Sequence, residues 1–221
     1  MSARATVIPG PAGAIEVRWE ASEDVPESPQ ALVAIIAHPH PLYGGAMDNK
    51  VVTTLARLYR RLGAVAVRFN FRGVGGSAGI HDEGRGEVDD LLAVARWAQQ
   101  QWPGAALLLA GYSFGSAIAA AASESIAARH LVLIAPPVER YRYAPRGDFA
   151  CPTTIVLGGA DDLVDAEAVA AWAATRAAVG RVILLPEASH FFHGELAALE
   201  RELAPAVAAA LEGIGVPPAV S

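Results

Sequence analysis

Residues 106–128 read ALLLAGYSFGSAIAAAASESIAA. An unbroken apolar run leads directly into Gly111-Tyr112-Ser113-Phe114-Gly115, and small residues follow with no Gly or Pro after Gly115. The run predicts a strand buried on both faces, and the small residues predict a helix able to pack close against a sheet. G-x-S-x-G between a strand and a helix is the spacing of a nucleophile elbow. The serine sits on a tight, strained turn, and the glycines leave room where neighbouring backbone passes too close for a Cβ.

Further β-branched or apolar runs lie on either side, at 14–20, 31–37, 64–70, 130–135, 153–158 and 181–185. The middle ones are apolar almost throughout, as strands of a covered parallel sheet are. Helical periodicity falls between them. Residues 48–62 place Val51, Val52, Leu55, Leu58, Tyr59 and Leu62 on one face, and 87–101, 114–128, 166–178 and 194–212 complete the set. The alternation predicts an α/β fold, a mostly parallel twisted sheet flanked by helices. One domain is expected over 1–221, with a polar loop at 21–30 and loosely ordered ends at 1–13 and 214–221.

The chain holds a second G-x-S-x-G. Residues 68–79 read RFNFRGVGGSAG and contain it as Gly75 to Gly79. Here the serine is followed by IHDEGRGE, polar and interrupted by Gly84 and Gly86, so no helix is expected directly after Ser77. The same stretch contains G-x-G-x-x-A from Gly73. A dinucleotide pyrophosphate needs a helix N-terminus at that point, so no cofactor is expected.

Bulk properties narrow the function classes. The 221 residues are 53% hydrophobic and 18% charged, an ordinary globular composition. A net charge of −6, with Arg60-Arg61 the densest basic pair, argues against nucleic acid as a partner. A single cysteine, Cys151, forms neither an intrachain disulfide nor a zinc-ribbon set. Residues 1–13 lack a signal-peptide core and no run reaches the ~18 apolar residues of a membrane span, so a cytoplasmic protein with no membrane partner is expected.

A serine hydroxyl needs a base, and the base needs an orienting group. On an α/β sheet the chain order is Ser, then Asp or Glu, then His, on loops at the C-terminal ends of strands. Strand 153–158 is followed by GGADDLVD, offering Asp161 and Asp162. Strand 181–185 is followed by PEASHFFHG, offering His190 and His193. His190 comes first, within the loop, and His193 lies nearer the next helix.

With these residues in place, the chain resembles the α/β-hydrolase superfamily over nearly its whole length. GGADDLV resembles the G-x-x-D-x-x-V acid loop of small hydrolases, with Gly158 and Val164 at its ends, which implies Asp161 as the acid. Asp165 stands where relatives often carry Pro. ASHFF resembles the histidine loop, with His190 as the base. HPHPLYGGAMDNKVV, His38 to Val52, resembles a narrower group of small bacterial hydrolases similar to dienelactone hydrolases and short-chain carboxylesterases. RGVGGS resembles the R-G-x-G-x-S turn of such proteins, which implies that Arg72 and Ser77 fix a loop.

Acyl transfer also needs donors aimed at the carbonyl oxygen. The backbone N–H of Phe114 is one candidate. The other is expected from the loop after strand 31–37, where Pro39 and Pro41 have no N–H and His40, Leu42 and Tyr43 remain. By analogy with related loops the resemblance ranks His40 first and Leu42 second. His38-x-His40 lacks the third ligand of a hydrolytic metal site, so no metal is expected. Tyr43, Tyr141, Tyr143, Phe191 and Phe192 are candidates to wall a shallow pocket, with Tyr43 and Phe191 the expected substrate contacts. Between strands 130–135 and 153–158 there is room for a loop but not for a cap domain. The expectation is a lidless serine hydrolase acting on a small ester through Ser113, His190 and Asp161. Thioesters, lactones and small peptides are the alternative substrates, and a non-catalytic binding module is the rival class. The oligomeric state is left open.

Overall fold

The computed structural model describes residues 3–21 and 32–212. In chain order the elements are β1 (Arg4–Gly10), β2 (Gly13–Glu20), β3 (Leu32–Ala37), α1 (Lys50–Arg61), β4 (Val65–Phe69), α2 (Arg85–Gln101), β5 (Ala106–Tyr112), α3 (Phe114–Ser123), β6 (Ala128–Ile134), β7 (Thr153–Gly158), α4 (Ala166–Ala173), β8 (Val179–Leu185) and α5 (Leu196–Glu212). A 3-10 turn, Pro41–Tyr43, follows β3. The eight strands form one sheet in the order β1-β2-β4-β3-β5-β6-β7-β8. The β1/β2 and β2/β4 pairs are antiparallel and the remaining pairs parallel.

Strand alternation sorts the core into two layers. In β3, Val33, Ile35 and Ala37 face α2, α3 and α4, while Leu32, Ala34 and Ile36 face α1 and α5. Both sets are fully buried. This two-sided burial is why the central runs are apolar at every position rather than at alternate ones.

Several expected boundaries move. Residues 4–10 form β1, so the start of the chain is not loosely ordered there. Its seven residues pair with β2 from Arg4↔Trp19 to Gly10↔Gly13. The helix expected from 87 begins at Arg85, with Gly86 inside its first turn. A side chain at 86 would collide with the Arg72 guanidinium, which lies across that turn. The helix after the elbow stops at Ser123, because β6 already starts at Ala128. Most of the 21–30 loop and the 214–221 tail lie outside the described residues. Between β6 and β7 the chain crosses without forming a further helix or strand, so no lid is inserted. No helix among the described residues is long and apolar enough to cross a membrane.

Candidate active site

The sheet delivers its chemistry at the C-terminal ends of β3, β5, β7 and β8. At the end of β5 the ladder holds up to the turn itself: Ser113 N–H donates to the Ile134 carbonyl at 2.8 Å. Ser113 then adopts φ 52°, ψ −120°, a strained conformation for a residue with a Cβ. Both flanking glycines are sterically required. A Cβ on Gly111 would strike the Gly115 carbonyl, and one on Gly115 would strike the carbonyls of Ala37 and His38.

His190 and Asp161 converge on this turn. His190 Nε2 lies 3.1 Å from Ser113 Oγ, and His190 Nδ1 lies 2.8 Å from Asp161 Oδ2. A carboxylate facing Nδ1 fixes the proton there and leaves Nε2 to accept from the serine hydroxyl. The other Asp161 oxygen accepts from the N–H groups of Leu163 and Val164 at 2.8 and 2.9 Å. The acid and histidine loops are themselves joined, because Ala160 N–H donates to the Ala188 carbonyl at 3.0 Å. The two competing residues stand apart from this cluster. Asp162 is exposed, and His193 stacks on Phe191 with ring centroids 5.7 Å apart. Asp165 caps α4, accepting from Glu167 and Ala168.

The loop after β3 is built around its two histidines. His38 is fully buried. Its Nε2 accepts from Phe71 N–H at 3.0 Å, so Nδ1 carries the proton and donates to the Pro39 carbonyl at 2.6 Å. Burial pulls its pKa down from 6.5 to about 4, which keeps the ring neutral for this arrangement. Both nitrogens are thereby committed, Nδ1 within the β3 loop and Nε2 to the loop after β4. Among the described residues no group of three or more His, Cys, Asp or Glu is placed to hold a metal.

His40 settles which N–H groups of this loop are free. Leu42 N–H donates to His40 Nδ1 at 3.2 Å, and Tyr43 N–H donates to the His40 carbonyl at 3.1 Å. Burial, followed by the neighbouring His81, lowers the His40 pKa and favours the neutral, accepting ring. Leu42 is therefore the wrong expectation for an oxyanion donor: its N–H is occupied, and the residue is 69% exposed and does not line the cavity. Among the described residues nothing accepts from the His40 N–H, nor from that of Phe114 at the first position of α3.

A cavity of about 530 Å³ opens over Ser113 and His190. Tyr43, Tyr141 and Phe191 line it, as does His40. Tyr143 and Phe192 do not. Phe192 is fully buried against α5, and Tyr143 is buried with its hydroxyl 2.7 Å from Ser116 Oγ. Aromatic residues in loops look alike in sequence, and only tertiary packing separates rim from core. Contributors that the sequence does not single out include Asn49, the cap of α1; Arg140; and Tyr112. Tyr112 occupies the variable position before the serine, and its hydroxyl donates to the His190 carbonyl at 2.9 Å. No sequence pattern marks that bond, because its partner lies on a separate loop.

The turn around Ser77 is of another kind. Its hydroxyl accepts from Glu16 N–H at 2.9 Å and donates to the Asn70 carbonyl at 2.7 Å. Arg72 grips Asp90 through its backbone N–H, Nε and Nη2, at 2.9 to 3.0 Å.

No family model matches the chain. An uncharacterized protein, RP471, of Rickettsia prowazekii is 39% identical over 168 residues, 72% of this chain and 68% of that one. Among solved structures, XC6422 from Xanthomonas campestris, described as an α/β serine hydrolase without a lid, is 37% identical. The match covers 99% of this chain and 98% of that one with a TM-score of 0.87. An α/β serine hydrolase homologue from Coxiella burnetii is 41% identical, over 94% of this chain and 98% of its own, with a TM-score of 0.86. These relationships span nearly the full described fold and coincide with its unbroken β6–β7 crossing. The chain belongs to the α/β-hydrolase superfamily, among its lidless serine hydrolases.

Proposed function

We propose that the protein hydrolyses small carboxylic esters through a Ser113–His190–Asp161 triad and an acyl-enzyme. The observation that carries this reading is the unbroken contact chain from Ser113 Oγ to His190 to Asp161 at 3.1 and 2.8 Å. His190 Nε2 takes the hydroxyl proton as Ser113 Oγ attacks the carbonyl carbon. Negative charge develops on the carbonyl oxygen and is met by the Phe114 and His40 backbone N–H groups. The tetrahedral intermediate collapses, the ester C–O bond breaks, and His190 returns the proton to the departing alcohol. Water then attacks the acyl group with His190 as base, the acid leaves, and Ser113 regains its proton. Asp161 holds the imidazole in its productive tautomer and stabilises the imidazolium formed in each half.

The cavity favours short acyl groups. It is roofed by no lid, and its rim residues Tyr43 and Phe191 are well exposed, so a long chain would find little apolar wall. The test is hydrolysis of p-nitrophenyl esters of increasing acyl length beside matched thioesters and lactones. Short esters are expected to give the highest kcat/KM, and Ser113→Ala to lose about a thousandfold or more. A strong preference for long chains would contradict the reading of the pocket. Better turnover of the thioester or lactone than of the ester would move the substrate class while leaving the triad in place.

A further inference from the structure

The two oxyanion donors come from separate elements. Phe114 N–H is fixed by the start of α3. His40 N–H sits on a loop whose 3-10 turn ends at Gly44, in the left-handed region at φ 79°. Among the described residues no hydrogen bond links the His40–Gly45 segment to Phe114. Beyond the backbone packing of Gly115 on the Ala37 and His38 carbonyls, what joins them is a cluster of rings. His40 packs on Phe114 with centroids 4.9 Å apart, and His81 packs on both, 4.8 Å from His40 and 5.6 Å from Phe114.

His81 is itself anchored. Its Nδ1 lies 2.8 Å from Glu87 Oε1. Glu87 is fully buried, and its two oxygens also accept from Asp82 N–H at 3.0 Å and Gly84 N–H at 2.9 Å. The carboxylate thus closes the N-terminus of α2 and fixes the ring that lies across both donor-bearing residues. A buried acid with three donors has little freedom, and that rigidity passes to His81.

We propose that His81 and Glu87 are positioning residues for the oxyanion hole, holding the His40 and Phe114 amides at the separation that a tetrahedral oxyanion needs. The inference rests on the reading of those amides as the donors. A hole held loosely loses transition-state stabilisation while substrate still binds. Acylation and deacylation share the hole, so both slow together, kcat falls and KM stays.

The experiment measures kcat and KM of the full chain per active site, counted by fluorophosphonate titration, together with the affinity for an alkylboronic acid that forms a tetrahedral adduct on serine. His81→Ala is expected to lower kcat roughly 10- to 100-fold, below or near the loss of a whole donor. KM should stay near its wild-type value, and boronate affinity should weaken in proportion to kcat. His81→Phe keeps a ring between His40 and Phe114 but gives up the Glu87 bond. It should recover part of the loss, and it carries the test if the alanine variant yields no titratable sites. Unchanged kcat per titrated site in both variants, or a lowered melting temperature with unchanged boronate affinity, would overturn the proposal. If Ser113→Ala keeps the wild-type rate, the hydrolytic reading falls and takes this inference with it. If Ser113→Ala is inactive and the His81 variants are undiminished, this inference alone falls.

Discussion

Ser77 and Ser113 stand in the same five-residue spacing, each between glycines and each close behind a buried strand. The Ser77 hydroxyl accepts one hydrogen bond and donates another, so both its proton and a lone pair are spent on holding β2 to the loop after β4. The Ser113 hydroxyl faces His190 at the mouth of a cavity, on a residue strained to φ 52°. The difference lies in the residues that come after each serine. After Ser113 a helix starts at once and pins the turn. After Ser77 the chain runs through a loop to Arg85 before α2 begins. A motif of this length therefore has meaning only with its flanks, since the flanks decide whether the hydroxyl is consumed or presented.

The glycines offer the most disruptive way to break this comparison. Gly115→Ala would drive a Cβ into the Ala37 and His38 carbonyls, both backbone and unable to yield. A loss of about 2 kcal/mol or more is expected, with activity falling further as the elbow shifts. Gly76→Ala would place its Cβ 3.4 Å from a Glu16 carboxylate oxygen at an ordinary φ, and should change stability by about 0.5 kcal/mol or less. Urea unfolding of both variants checks the pair. Equal destabilisation would erase the distinction between the two turns.

Acid should act on the loop that both regions share. His38 bridges the β3 loop and Phe71, just ahead of the Ser77 turn, and burial pulls its pKa from 6.5 to about 4. His130, buried in β6, is lowered to about 4 by the same cause. The unfolded chain therefore takes up these protons at higher pH than the folded one. Stability is complete above about pH 6.5 and falls as pH drops toward 4, by about 3 kcal/mol for a fully buried imidazole with this shift. Unfolding midpoints measured between pH 7 and 4 should show that slope, and His38→Gln should reduce it to the share that His130 contributes. An unchanged slope in the variant would remove His38 from the account.

The smallest effect on rate sharpens the contrast most. Ser77→Ala leaves Glu16 N–H and the Asn70 carbonyl without the hydroxyl that joins them, at a cost of about 1–3 kcal/mol. Its rate per folded molecule should match wild type in a simple esterase assay. Loss of rate with stability intact would mean that Ser77 takes part in the chemistry.

Particular residues show what the sequence could carry. The strands β3 to β7 announce themselves because burial on both faces demands apolar residues throughout. The types and order of Ser113, Asp161 and His190 are readable because Ser113 and Asp161 follow two such strands and His190 follows the apolar end of β8. β1 was not readable. Its RATVIPG exposes most positions and buries Ile8 alone, so neither a continuous run nor a clean alternation marks it. Leu42 went wrong because its N–H is taken by the side chain of His40, a local bond that residue type does not reveal. Tyr143 and Phe192 went wrong because a loop aromatic can turn inward as readily as outward. Glu87 bonds locally, to His81, Asp82 and Gly84, but His81 is invisible as a site feature for the same reason as the Tyr112–His190 bond: the rings it meets, His40 and Phe114, come from other loops.

The central claim is that Ser113 alone of the two motif serines is presented for attack. Treating the intact protein with a fluorophosphonate and mapping the adduct by peptide mass spectrometry tests it directly. The label is expected on Ser113, and Ser113→Ala should take up none while Ser77→Ala labels like wild type. An adduct on Ser77, or on any residue other than Ser113, would contradict the account.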